Sequence, residues 1–186
     1  MAAGRGDRFG ADRPKAFANL AGRPLLAEEL GAGKVRAAVA GGETRTDSVR
    51  AGVAEVDEDA AVVLVHDAAR PLLSGEVVER VVVALGEGWD AAVPALPLSD
   101  TVKRAEGDAV AETLERTGLY AAQTPQAFLA DSLRRALEGA GSATDCAGLV
   151  EAAGGRVRLV EGDPRLVKVT TPADLAFVEA LLGAEK

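Results

Sequence analysis

The sequence predicts an open α/β fold with a mostly parallel sheet and a β-hairpin arm. Three observations carry that prediction. Val62–Val65 is a short, continuous apolar run that ends in His66, Asp67, Ala68, Ala69 and Arg70, and Pro71 blocks further ladder pairing. Ser74 then stands ahead of Val77, Val78, Val81, Val82 and Leu85, which share one helical face, and a small-residue strand follows over 91–95, stopped by Pro94 and Pro97. Strand, helix, strand in that order implies a right-handed parallel crossover. Between 98 and 119 the pattern changes: two runs, 98–106 and 109–114, flank Gly107 and Asp108 as the limbs of a hairpin.

A chain of 186 residues suits one domain with an aliphatic core, so residues 1–186 read as one unit with the 98–119 arm inserted in it. Lys and Arg number 21 against 29 Asp and Glu, a net charge of -8. That balance argues against wholesale nucleic-acid binding but leaves room for a basic pocket around a small phosphorylated ligand. A single cysteine, Cys146, excludes an internal disulfide and fits a reducing, cytoplasmic compartment. No apolar run reaches membrane-spanning length and no signal peptide precedes the first Gly-rich turn, so no membrane partner is expected.

The opening stretch AAGRGDRFG offers Gly4, Gly6 and Gly10 for tight turns, and Arg5, Arg8, Arg13 and Lys15 supply positive charge around them. Backbone N–H groups with such side chains suit a polyphosphate, although a frayed basic terminus fits the same residues. The spacing is neither a dinucleotide fingerprint nor a Walker loop. A phosphate loop normally leaves a strand, and Met1 leads straight into this one, so a first strand is expected to be missing from this sequence. Residues 24–30 read as a helix and 35–40 as a strand. The unit is short, which points to residues absent near 30–35 and near 40. GGETRTDSVRAGV then leads into a helix over 48–56, with Thr46, Asp47 or Ser48 at its start.

After the hairpin, Pro125 disfavours helix at Thr124, and a helix follows over 129–137, ended by Gly139 and Gly141. Thr144 is expected to cap the next helix, with Asp145 in its first turn, where a carboxylate is favourable. Residues 157–160 and 167–169 read as strands. Thr171 caps the last helix, with Pro172 at N1 and Asp174 at N3.

The Cys/His content holds no zinc cluster. His66, the only histidine, has no nucleophile elbow beside it and reads as structural, and Cys146 reads as a core residue. What remains is Arg8, Lys15, Asp67, Arg70, Arg116 and Lys168. Asp67 and Arg70 leave an apolar strand at the end where open α/β sheets bind ligands, though the pair alone fits a loop salt bridge as well. Lys168 and Thr170 stand just ahead of a helix N-terminus, a second place for a phosphate. Five cations and one carboxylate suit phosphate chemistry, because nucleotidyl transfer needs charge neutralisation and alignment more than a protein nucleophile.

In order, these stretches resemble the 2-C-methyl-D-erythritol 4-phosphate cytidylyltransferases along essentially the whole chain. The resemblance runs through AAG-x-G-x-R-x-G with Pro14-Lys15, GG-x-x-R-x-x-SV from Gly41, HDAARP from His66, DTVKR from Asp100, QTPQ-x-F from Gln123, TD at Thr144 and K-x-TTP-x-DL from Lys168. It implies a Rossmann-like sheet of the nucleotide-diphospho-sugar transferase type, CTP as co-substrate with Mg²⁺ held mainly through its phosphates, and a homodimer. By resemblance, Arg8 and Lys15 hold the CTP triphosphate, and Arg116 and Lys168 hold two anions together. Ala2, Ala3, Gly4, Gly6, Gly41, Gly42, Glu43, Ser48, Asp67 and Ala68 match nucleotide-binding positions, Glu43 standing where the family often has Asp. Asp67, Arg70, Thr101, Arg116, Thr144, Lys168 and Thr170 match sugar-phosphate positions, with Thr101 and Arg116 delivered by the arm to the neighbouring subunit. No residue is assigned as a direct metal ligand. The ribitol 5-phosphate cytidylyltransferases share the fold, nucleotide loop and QTPQ segment and are the nearest alternative. A non-catalytic nucleotide-binding module is the alternative of another class.

Overall fold

The structure, a computed structural model, describes residues 37–139 and 143–184 together with the backbone of 19–20 and 23–24. Strands β1 (Asn19–Leu20) and β2 (Arg23–Pro24) pair antiparallel, so Pro24 ends a strand where a helix start was expected; the rest of that helix lies outside the described residues. Residues 37–40 form no strand. Helix α1 (Arg45–Val53) begins earlier than its expected start because Thr44 is the cap: its side chain accepts from Asp47 N, and Asp47 answers onto Thr44 N in a capping box.

β3 (Val62–Val65) leads to α2 (Gly75–Val83), capped by Ser74 as expected, and then to β4 (Ala91–Pro97). β5 (Val102–Glu106) and β6 (Ala109–Leu114) form the hairpin, a two-stranded sheet of its own turning on Gly107 at φ +57°. β7 (Tyr120–Ala122) and β8 (Gln126–Leu129) precede α3 (Ala130–Glu138), α4 (Cys146–Ala152), β9 (Val157–Glu161) and α5 (Pro172–Gly183). Asp145, not Thr144, caps α4, its carboxylate accepting from Gly148 N. Residues 167–169 form no strand, although Val169 N donates to Ala69 O.

The sheet corrects the expectation of a mostly parallel arrangement. Among the described strands its order is β3-β8-β4-β7, with β9 on the other edge of β4, and of their pairs only β4–β9 is parallel. β3 and β4 do run the same way, as their crossover through α2 requires, but β8 slips between them antiparallel to both. The physical cause is the arm. Between β4 and β7 the described chain makes a hairpin excursion with no crossover helix, so it returns antiparallel along the edge it left. β7 then takes residues 95–97 of β4 and β8 takes 91–92, dividing one edge between them.

That division explains why Pro94 does not stop β4. Pro94 O accepts from Gln123 N, so the missing N–H of Pro94 lies on the same edge, where the neighbour changes from β8 to β7 at the cis Thr124–Pro125 bond. Alternation then sorts the core onto two faces. Ala91 and Phe128 join Val49, Val63, Leu133 and Val150 under α1, α3 and α4. Ala92 and Ala127 meet Val81 of α2 and Ala84 at its C-cap on the other side.

Candidate active site

The carboxyl end of β3 opens on a polar cavity of about 260 Å³. Four segments distant in sequence supply its walls: Arg45 from α1, Asp67 and Arg70 after β3, Thr144 and Asp145 at the start of α4, and Lys168 ahead of α5. Gln123 and Thr124, between β7 and β8, form the floor with Gln126 at the start of β8. A larger groove of about 370 Å³ lies along α1 and β3, but its lining is mainly valine, with Gly41, Ser48 and His66 at one end. The chemistry-bearing groups gather in the smaller cavity.

Asp67 is the centre of charge there. Lys168 Nζ donates to Asp67 Oδ2 at 2.6 Å, and Arg45 Nη2 stands 3.7 Å from Oδ1, so each carboxylate oxygen faces its own cation. Burial works to raise the Asp67 carboxyl; the bond and charge of Lys168, with Arg45 and Arg70 behind it, outweigh burial and hold the carboxyl below its ordinary value. The backbone of Asp67 is fixed from below, its N–H donating to Thr124 Oγ1 at 3.0 Å.

His66 serves the frame. Its Nε2 lies 3.0 Å from Arg70 O, which can only accept, so this nitrogen carries the hydrogen. Its Nδ1 faces Thr124 Oγ1 at 3.1 Å. One ring thus closes the loop from 66 to 70 and ties it to the floor. The Arg70 guanidinium donates through Nη1 to Leu166 O and through Nη2 to Ala122 O at 3.4 Å, and its buried Nε finds no hydrogen-bond partner among the described residues.

Two glutamines of the floor hold the side walls. Gln123 meets the backbone of Asp163 with both ends of its amide: Nε2 donates to Asp163 O at 2.8 Å, and Oε1 accepts from Asp163 N at 2.9 Å. A side chain at Gly162 would put its Cβ 2.4 Å from that Oε1, so only glycine permits the approach. Gln126 faces the other way and holds Asp145.

The expected site residues are not all brought together. Asp67, Arg70, Thr144 and Lys168 share the cavity. Ala68 is buried beside Asp67. Thr170 turns aside: its N–H and hydroxyl both donate to Asp174 Oδ2, at 2.8 and 2.7 Å. Thr101 and Arg116 are exposed on the arm and do not line the cavity. Gly41, Gly42 and Glu43 are exposed ahead of α1, and Ser48 Oγ fastens them: it accepts from Gly42 N at 3.1 Å and donates to Thr44 O at 3.0 Å. Ala2, Ala3, Gly4, Gly6, Arg8 and Lys15 lie outside the described residues. Sequence reasoning missed Arg45 and Asp145 as cavity residues. The available signal was their place beside motif positions: Arg45 within GGETR, and Asp145 next to Thr144.

Cys146 is fully buried, as a core residue should be, and its Sγ accepts from Arg45 Nη1 at 3.1 Å. Burial pushes the thiol upward despite the guanidinium beside it.

Comparison with known proteins adds the family. The family model described as 2-C-methyl-D-erythritol 4-phosphate cytidylyltransferase matches residues 28–184. A relative of that name from Rhodococcus jostii is 46% identical over 97% of this chain and 92% of its own length. One from Deinococcus radiodurans is 44% identical over 98% of this chain and 87% of its own length. The Rhodococcus alignment spans 209 residues against 186 in this chain, so that relative contains stretches this chain lacks. Among solved structures, the 2-C-methyl-D-erythritol 4-phosphate cytidylyltransferase of Thermus thermophilus superposes with a TM-score of 0.80 at 36% identity, covering 91% of this chain and 94% of that one. The Francisella tularensis protein of the same name gives 0.82 at 28% identity, covering 96% and 95%. The chain belongs to the 2-C-methyl-D-erythritol 4-phosphate cytidylyltransferase family.

Proposed function

We propose that the cavity around Asp67 is where the sugar phosphate meets the nucleotide. The reaction is the family's: CMP passes from CTP to 2-C-methyl-D-erythritol 4-phosphate, giving 4-diphosphocytidyl-2-C-methyl-D-erythritol and pyrophosphate. The observation that supports the placement is the meeting of Asp67, Arg70, Thr144 and Lys168 at one strand end, from segments far apart in sequence. Lys168 and Arg70 neutralise the sugar phosphate, and Asp67 accepts from hydroxyl groups. A 4-phosphate oxygen attacks the α-phosphorus in line, forming the new P–O bond as the bond to pyrophosphate breaks. No protein nucleophile enters, so catalysis rests on alignment and charge. Arg8 and Lys15 serve the triphosphate, and the segment from Gly41 to Ser48, which runs into α1, reads the base.

The described residues do not fit a protein-held Mg²⁺. Among them, no three His, Cys, Asp or Glu side chains gather. The oxygens of Asp67 face Lys168 and Arg45, and those of Asp145 accept from Gly148 N and Gln126 Nε2. In this reading Mg²⁺ is brought by CTP, whose phosphates hold it as part of the nucleotide substrate.

The active unit is a homodimer, each arm bringing Thr101 and Arg116 to the neighbour's cavity. Support comes from their exposure on a hairpin whose residues pack into no core cluster among the described residues. No helix among the described residues is long and apolar enough to cross a membrane. Pyrophosphate release with CTP and either methylerythritol 4-phosphate or ribitol 5-phosphate tests the substrate. Preferential turnover of the methylerythritol compound is expected; equal or reversed preference defeats the reading.

A further inference from the structure

We propose that Gln126 is a positioning residue whose bond to Asp145 sets where Thr144 stands in the cavity, and with it the affinity for the sugar phosphate rather than for CTP. This rests on the reading of the cavity as the sugar-phosphate site. Gln126 opens β8 opposite Val65, is 1% exposed, and has both ends of its amide committed. Nε2 donates to Asp145 Oδ2 at 2.7 Å, and Oε1 accepts from Ala147 N at 3.3 Å. The other Asp145 oxygen caps α4 through Gly148 N.

One planar group thus grips the first turn of α4 at two points on either side of Cys146. The helix has seven residues, too few to fix its own start. Its N-terminus is placed by the sheet, through Gln126, and Thr144 is the residue just ahead of the cap. The same anchor reaches the centre of charge: Cys146 Sγ accepts from Arg45 Nη1, and Arg45 Nη2 faces Asp67. Only a group with one donor and one acceptor in this geometry meets both partners. A carboxylate would oppose Asp145, and an apolar side chain would leave the Ala147 N–H unpaired.

The test uses Q126E, nearly isosteric, and the double variant Q126E/D145N. In the double variant the amide introduced at position 145 donates to the carboxylate at position 126, while its oxygen still accepts from Gly148 N. Two readouts are taken. For Q126E, KM for methylerythritol 4-phosphate rises about tenfold or more while KM for CTP stays within about twofold. Labelling of Cys146, the chain's single cysteine, by a thiol reagent in the absence of substrate also quickens about tenfold, because the first turn of α4 opens more often. Both readouts return toward wild type in the double variant. Unchanged readouts in Q126E overturn the proposal, as do equal rises in both KM values without recovery in the double variant. Should Q126E not fold, the double variant decides: a near-wild-type sugar-phosphate KM supports the exchange of partners, and a raised one overturns it. Labelling needs no substrate. A wild-type protein that transfers no CMP would sink the functional reading by itself, leaving the anchor to be judged by the thiol series.

Discussion

Asp67 holds its charge where burial alone would oppose it, and Lys168 at 2.6 Å does most to reverse that. Replacing Lys168 with Met should lower kcat/KM by about tenfold to a hundredfold, the cost of a charge-assisted bond at roughly 1.5–3 kcal/mol. It should also move the acid limb of the pH–rate profile upward. The sign follows from the direction of the shift: with Lys168 present the carboxyl ionises below its ordinary 3.8, and without Lys168 burial acts against the charge with less to offset it. Steady-state kinetics from acid to neutral pH check both parts; an acid limb that stays in place would remove Asp67 from the mechanism. Asp67, Arg70 and Lys168 were legible in the sequence because charged residues at strand ends and helix starts stand out. Arg45 stood in the GGETR motif, but its part in the cavity was not read there, because that depends on a guanidinium reaching Asp67, 22 positions away.

Capping chemistry at α5 was legible to the residue. Asp174 accepts from Thr170 N, Thr170 Oγ1 and Thr171 N, and the first of these residues does most to bring its pKa down to about 2. A depressed carboxyl lends stability above its unfolded pKa of 3.8, and that contribution fades as pH falls toward 2. Asp174→Asn should therefore cost about 1 kcal/mol near neutral pH and show a flatter loss of melting temperature over the acid range than wild type. Thermal unfolding at a series of pH values measures this; parallel curves would contradict it. β8 was not legible. QAFL is too short for a period to show, and it lay between Pro125 and the helix expected from 129. Its weight in the fold is nonetheless large, since Phe128 is fully buried between β3 and β4. Phe128→Ala should cost about 3–5 kcal/mol, measurable by denaturant unfolding with an unchanged slope.

For the whole molecule, the question is whether one chain completes its own cavity. Thr101 and Arg116 do not line it in the described chain, and the arm that carries them is a separate sheet. A symmetric dimer would present each arm to the other cavity, because a two-fold interface repeats every contact. Mixing inactive Lys15→Ala protein with inactive Arg116→Ala protein should then restore activity. In the heterodimer one site has both defects and the other has neither, so recovery to about half per heterodimer is expected. Subunit exchange confirmed by mass measurement with no recovery would show that the arm does not serve its neighbour.

What the sequence determined by itself was local: β3, the Ser74 and Thr171 caps, the hairpin turn at Gly107 and the motif order that fixes the family. Each depends on side chains within a few positions of one another, where periodicity and capping act. Only the tertiary structure decided the direction of the sheet, the passage of Pro94 through β4, and the union of Gln126, Asp145, Cys146 and Arg45 behind Asp67. A strand reads the same in either direction of pairing. Its partner is chosen by where the chain returns, and here the arm sent β8 back between two strands that a crossover had already made parallel.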